Sequence, residues 1–453
     1  MSGRSVFLVD GARTPFLKTR GRPGPFTPVD LAVQCGRPLL LRQPLSVDAV
    51  DGVVLGCVNV RADEMNPARI AAQRLGLPAT VPAYNVQINC GSGMLSVESA
   101  MQAIRTGRAD LMLAGGAEAL SHTPLVLSDQ AVEWLASVRT ATGIKQRLSR
   151  LARFRPGYLK PVVALERGLT DPIVDLSMGQ TAEVLAHRFG IERRHSDTYA
   201  LQSHQRLAHA QTQGLLDTEL LPIADDAGRL YTHDDGVRVD TDLQQLSRLK
   251  PVFEPPHGQV TAGNSSQISD GASWLMLASE RACERHELSP RARIMDSAWC
   301  ALDPSIMGLA PTLCIAELLH RHRLSLDDID AFEINEAFAA QVLACLAALE
   351  DDEYCRQVLG SPAAIGPIDE QRLNLDGGAI SLGHPVGASG NRITLHLMHV
   401  LERVGGRLGI ATECIGGGQG GAMLLERCQN TTNGQQPHRD RDTDAASATR
   451  TDS

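Results

Sequence analysis

Leu111 to Ala114 is an uninterrupted apolar run between polar turns. Such a run is the mark of a strand buried on both faces, and burial on both faces requires helices above and below it. Similar short runs occur at Ser5–Val9, Gly52–Val58, Leu275–Ala278, Ala331–Ile334, Leu408–Thr412 and Ala422–Leu425. Helix starts fall between them. Thr27-Pro28 and Asn66-Pro67 each set a capping residue before a proline suited to the first helical position. The alternation predicts an α/β chain with a mostly parallel sheet. At 453 residues there is room for two or three domains with sizeable cores.

The rhythm breaks between Ser121 and Lys250, which reads as an insertion of about 123–250. It opens with an irregular stretch carrying Arg139, Lys145, Arg147, Arg150, Arg153, Arg155 and Lys160. Two helices are expected after it, about Met178–Phe189 and Glu192–Gly214. The basic run has three readings: a solvated face, a contact for ligand phosphates, or a membrane-surface or partner contact. Residues 428–453 are polar and without apolar periodicity, and are expected to be a disordered tail.

Net charge is −9, which argues against general nucleic-acid binding. Ten cysteines are scattered without a C-x-x-C pair. That fits reduced thiols in a cytoplasmic setting rather than a zinc site or a disulfide framework. No signal-peptide core is seen, and no apolar run long enough to predict a membrane span.

Asn89-Cys90-Gly91-Ser92-Gly93 follows an extended stretch and runs into a helix-like one, Met94–Arg105. A thiol at a helix N-terminus meets unpaired N–H groups and the positive end of the dipole, which should lower its pKa. Taken alone, the motif fits either an activated nucleophile or a buried structural cysteine.

Three further blocks occur in order. They are Asn335-Glu336-Ala337-Phe338, Gly383-His384-Pro385-Val386-Gly387-Ala388-Ser389-Gly390, and Cys414-Ile415-Gly416-Gly417-Gly418-Gln419-Gly420-Gly421. With the Cys90 block they resemble the thiolase family from about Ser5 to Arg427. The resemblance implies a thiolase fold: two duplicated halves in a layered αβαβα core, with an inserted loop domain. The N-terminal domain would be 1–122 with 251–285, the loop domain 123–250, and the C-terminal domain 286–427.

The resemblance also implies chemistry. Cys90 would be the nucleophile, His384 its base and an oxyanion-hole donor, and Cys414 a second acid/base at the substrate α-carbon. Asn335 would hold an oxyanion-hole water, with Glu336 orienting Asn335 or water. The Gly416 N–H would join that of Cys90 in a second hole. Ser266 and Met178 would contact coenzyme A. No bound cofactor is expected; coenzyme A and acetyl-CoA are substrates. The implied activity is thiolysis of 3-ketoacyl-CoA or the reverse condensation of acetyl-CoA.

A homodimer or homotetramer is expected by resemblance, with a fatty-acid-oxidation complex as a further possibility for partners. Ser177 stands where acetoacetyl-specific members often carry His. Ketoacyl synthases and hydroxymethylglutaryl-CoA synthases also use a cysteine on this fold, but they lack the Cys-x-Gly-Gly-Gly block. A non-catalytic CoA or lipid carrier, or a docked subunit, is the reading from another class.

Overall fold

A computed structural model describes residues 3–428; the tail expected at 428–453 lies outside these except for Cys428. The first half runs β1 (Val6–Arg13), α1 (Pro28–Leu41), β2 (Gly52–Gly56), α2 (Pro67–Arg74), β3 (Ala83–Val86), α3 (Ser92–Arg105), β4 (Leu111–Ala119). The insertion follows, with α4 (Asp129–Arg139), α5 (Ile144–Leu151), α6 (Met178–Arg188) and α7 (Arg193–Thr212). β5 (Ser269–Ser279) then completes the first half. The second half runs β6 (Ala292–Ala301), α8 (Ala310–His322), β7 (Ala331–Ile334), α9 (Ala339–Glu350), α10 (Val386–Val404), β8 (Leu408–Ile415) and β9 (Gln419–Arg427).

Within the first half the strand order is β3-β2-β4-β5-β1, with β2 parallel to both its neighbours and the other pairs antiparallel. The second half repeats it. β7-β8-β9-β6 follow the same directions, and a single parallel bridge from Leu373 to Phe332 takes the place of β3. The halves join edge to edge through two residue pairs only, Phe7–Arg293 and Leu8–Ala292. The two halves expected from the resemblance are therefore present, and their sheets are hydrogen-bonded into one.

Side-chain alternation on these strands sets the layers. In β5, Ala272, Trp274, Met276 and Ala278 pack outward under α1 and α2, while Leu275 and Leu277 pack inward. In β9, Ala422 and Leu424 face the outer helices α8 and α9, and Met423 and Leu425 face inward. The inner faces of both halves close on α3 and α10, which gives five layers, αβαβα. Residues 387 to 401 of α10 are all buried, and Gly405 (φ 70°) ends that helix. Close approach explains two glycines. A Cβ at Gly115 would lie 2.1 Å from the Trp274 ring, and one at Gly93 would lie 2.7 Å from the Asn391 backbone nitrogen.

The stretch expected to be irregular holds α4 and α5. The spacing of Ile144, Leu148 and Leu151 is helical, but with no core to face it gave no sequence signal for burial. Arg13 ties the insertion to the core, with Nε 2.7 Å from Glu219 Oε1 and its other two nitrogens on Asp234 at 2.7 and 2.9 Å.

Candidate functional site

The Cys90 turn is closed by its own neighbours. Ser92 Oγ donates to the Asn89 carbonyl at 2.7 Å and accepts from the Ile88 N–H at 2.9 Å. Asn89 sits in the left-handed region (φ 48°), and its Nδ2 donates to the Gly416 carbonyl at 2.9 Å. The turn is thereby pinned to the β8–β9 loop. A Cβ at Gly91 would lie 2.4 Å from the end of the Ile415 side chain, so a larger residue there would force Ile415 to shift.

Cys90 is half-buried and Cys414 is buried. The thiol at 90 does not show the lowered pKa expected of a helix N-terminus. Burial and the nearby Glu413 carboxyl push it up to about 11, against the pull of the Gly416 N–H aimed at it. Burial, and then Cys90, hold the Cys414 thiol well above the usual range. Cys414 packs with Met178, Ala337 and Phe338.

His384 follows Gly383 (φ 115°), and its backbone N–H is bonded to the Gln267 carbonyl at 2.9 Å. Its Nδ1 lies 2.6 Å from Ser389 Oγ, which in turn donates to the Pro385 carbonyl at 3.2 Å. That relay assigns the proton to Nδ1 and leaves a lone pair on Nε2. Nε2 is buried with no partner in the protein. Burial, then Arg392, push His384 down to about 4, so the imidazole is neutral.

Asn335 ends β7. Its side chain is buried, and neither amide atom is bonded to protein. A buried amide in that state is fitted to a water or a substrate oxygen. Glu336, expected to orient Asn335 or water, makes no side-chain bond to Asn335. Its carboxylate accepts from Tyr199, Ser203, Asn374 and the Ile380 N–H, at 2.7 to 3.2 Å. It anchors α7 to the approach of the His384 turn.

Ser266 donates its N–H to the Ala337 carbonyl at 2.9 Å, beside Gln267, which holds His384. Met178 opens α6, capped by Ser177 with Gln180 in a capping box. A Cβ at Gly416 would touch the Met178 sulfur at 3.1 Å. All seven candidates, Cys90, Met178, Ser266, Asn335, His384, Cys414 and Gly416, thus belong to one continuous set of contacts at the same end of the strands.

Two residues here had no assigned role in the sequence reading. Glu118, at the end of β4, accepts from the N–H groups of Val58, Asn59 and Gly387 at 3.0 to 3.1 Å. It clamps the His384 turn to the first half. Burial pushes it up to about 7, opposed by those three N–H groups. A charge at the end of an otherwise apolar strand was its only signal. Glu413 is buried with neither carboxyl oxygen bonded, and burial holds it well above the ordinary carboxyl range despite Arg392. Its signal was a glutamate inside an apolar strand, directly before Cys414.

Comparison with known proteins agrees over nearly the whole length. The family models described as Thiolase, N-terminal domain and Thiolase, C-terminal domain match residues 6–281 and 288–427. The beta-ketoadipyl-CoA thiolase of Pseudomonas aeruginosa is 38% identical over 429 residues, which are 94% of this chain and 99% of that protein. The acetyl-CoA acetyltransferase of Bacillus anthracis superposes with a TM-score of 0.82 at 34% identity, covering 94% of this chain and 100% of that one. Human mitochondrial 3-ketoacyl-CoA thiolase in complex with CoA gives 0.80 at 36% identity, covering 94% and 98%.

Proposed function

The chain belongs to the thiolase family, and from that premise we propose that it cleaves a 3-ketoacyl-CoA with coenzyme A, or runs the reverse condensation, through an acyl-Cys90 intermediate. The observation that carries the reading is the His384 ring, with Nδ1 held by Ser389 and Nε2 buried and unpartnered. It is a base set for a single proton transfer.

In the resting site the thiol is protonated and the imidazole neutral. Cys90 gives its proton to His384 Nε2, and the thiolate attacks the keto carbon. The N–H groups of Cys90 and Gly416 stabilise the oxyanion so formed. The bond between the α and keto carbons then breaks, leaving the acyl group on Cys90 and an acetyl-CoA enolate. Asn335, through a water, and His384 stabilise the enolate oxygen, and Cys414 protonates its carbon. The incoming CoA thiol returns a proton to Cys414 and takes the acyl group, while Cys90 recovers its proton from His384. Ser266 and Met178 lie where the pantetheine arm would enter.

The names of the relatives divide over the acyl group, between ketoadipyl and ketoacyl chains. Thiolysis of 3-ketoadipyl-CoA, acetoacetyl-CoA and 3-ketohexadecanoyl-CoA, measured side by side with wild type and Cys90→Ala, tests both class and substrate. Cleavage that Cys90→Ala abolishes is the expected result. No cleavage of any of the three by folded wild type sinks the catalytic reading in favour of a carrier or a subunit that needs its complex.

A further inference from the structure

The outer side of the second half holds two thiols that no step of the thiolysis uses. Cys300 stands near the end of β6, where it pairs with Gly420 of β9. Residues paired across antiparallel strands point to the same face of a sheet. A Cβ at Gly420 would lie 2.6 Å from the Ala310 Cβ, so that face lies under the first turn of α8. Cys314 is one turn further along α8, on the same side as Ala310. The two cysteines accordingly pack into one hydrophobic cluster with Ala298 and Ala422.

The thiols meet there. They are hydrogen-bonded to each other, and the Cys300 backbone N–H is aimed at the Cys314 sulfur. Cys300 is half-buried and Cys314 is buried. Their bond pulls Cys300 below the ordinary thiol range, against burial and Glu317 and with help from Arg321. The same bond, and then burial, holds Cys314 well above that range. One thiol is thus partly open to solvent and the more easily ionised, and the other is a protonated neighbour held against it. A thiol that reacts with a peroxide, next to a second that resolves the product, needs that arrangement.

The segment between the two reaches the site. The Leu302 N–H donates to the Gly418 carbonyl at 2.8 Å, and a Cβ at Gly418 would lie 2.2 Å from the Leu302 carbonyl oxygen. A short helical turn follows, Pro304–Leu309, whose Met307 packs with Cys414 and Phe338. Cys300 and Cys314 stand at the two ends of that segment.

We propose that Cys300 and Cys314 form a reversible disulfide site, oxidised by hydrogen peroxide, that clasps β6 to α8 behind the Cys414 loop. The Cys300 thiolate attacks one peroxide oxygen. An S–O bond forms, the O–O bond breaks, and the departing hydroxide takes a proton and leaves as water. The Cys314 sulfur then attacks the sulfenic sulfur of Cys300. An S–S bond forms, the S–O bond breaks, and the oxygen leaves with the Cys314 proton as a second water. Two thiols are oxidised and one peroxide is reduced. A dithiol reverses the step by thiol–disulfide exchange.

The test is peroxide treatment of the full chain, then alkylation of the remaining thiols in denaturant, trypsin and mass spectrometry. No Lys or Arg lies between Arg293 and Arg321, so trypsin releases both cysteines in one peptide, Ile294 to Arg321. Wild type is expected to yield this peptide without alkyl groups and lighter by two hydrogen atoms. Dithiothreitol before alkylation should restore both alkyl groups. Cys300 should be oxidised at least about tenfold faster than the buried Cys345 and Cys355. In Cys314→Ala the reaction should stop at a Cys300 sulfenic acid that dimedone traps, and in Cys300→Ser the buried Cys314 should still be alkylated. The readout is covalent and uses no thiolysis, so it stands or falls independently of the thiolase reading, and the wild-type mapping needs no substitution.

Three results overturn the proposal. The peptide keeps both alkyl groups at peroxide levels that oxidise Cys90. Cys300 proceeds to a sulfinic acid in wild type while Cys314 is still alkylated. Cys300 is found linked to a cysteine other than Cys314.

Discussion

The two halves of this molecule share one strand order and place different chemistry at equivalent points. After β3 the first half turns at Cys90 into the inner helix α3. After the Leu373 bridge the second half turns at His384 into the inner helix α10. The strands that follow, β4 and β8, lead to the larger difference. β4 reaches its partner β5 only after residues 120–268, which include the whole insertion, whereas β8 reaches β9 through the glycines at 416–418. One slot in a repeated topology thus holds the long insertion in one half and the short Cys414 loop in the other. A repeated scaffold supplies two helix-start turns, and sequence divergence sets a cysteine on one and a histidine on the other.

The strongest way to break this comparison is to disarm one half at a time. Cys90→Ala and His384→Asn should each lower kcat by at least about a thousandfold. The double variant should lose little more than either single one, because the two groups act as a unit. Losses that multiply in steady-state thiolysis would mean the two turns work independently.

The buried ionic group where the halves meet comes next. His396 of α10 lies 2.8 Å from Glu219 of the insertion and 3.2 Å from Asp376, which Arg403 meets at 2.6 Å. Burial opposes the charged ring, but Glu219, Glu333 and Asp376 outweigh it and push His396 up to about 10 from 6.5. A histidine raised in the folded state binds its proton more tightly than in the unfolded chain. Its contribution is therefore complete below about pH 6.5 and is lost as pH rises toward about 10. His396→Leu should cost about 3 kcal/mol or more at pH 6, because it leaves carboxylates buried without their partner. Melting curves from pH 6 to 10 should show the gap between wild type and variant narrowing. A constant gap would mean that packing, not charge, joins the halves there.

The contact of the inner helices offers a smaller lever. Gly93→Ala would place a methyl group against the α10 backbone, and Gly390→Ala would place one against the Met94 nitrogen and Glu413. Each should cost about 1–3 kcal/mol in urea unfolding. A neutral Gly93→Ala would show that α3 and α10 can part without loss. The smallest expected effect is that of Glu413→Leu. Removing the unbonded carboxyl beside Cys90 should shift the alkaline midpoint of Cys90 alkylation by iodoacetamide downward from about 11. Stability should hold or rise, since a buried unpaired polar group is lost. An unmoved midpoint would leave burial as the whole cause of the raised thiol.

Much of the fold was readable from the chain because the strands bury both faces and so appear as apolar runs. β2, β4, β7 and β8 were recognised that way. β6 was not, since Arg293, Asp296 and Ser297 interrupt it, and Arg293 is a part-exposed side chain that pairs with Glu426 at 2.6 Å. α5 was missed because its apolar spacing is diluted by Lys145, Arg147 and Arg150 and answers to no core. The Cys90, His384 and Cys414 blocks stood out through their glycines, of which Gly418 has φ 78° and lies against the Leu302 carbonyl.

What the sequence determined by itself is the set of local events: which segments extend, where helices start, and that Cys90, Asn335, His384 and Cys414 each end a strand or open a helix. Those follow from nearest-neighbour chemistry along the chain. The protonation state of the site was decided by tertiary structure. Sequence logic put Cys90 at a helix N-terminus and so expected a lowered pKa, but the folded chain brings Glu413 and a low-dielectric wall beside it and raises the thiol instead. Glu336 likewise stands next to Asn335 in the chain yet serves α7, and Glu118 steadies a turn 269 residues away. Charge and solvation act through space, and only the folded arrangement says which groups share it.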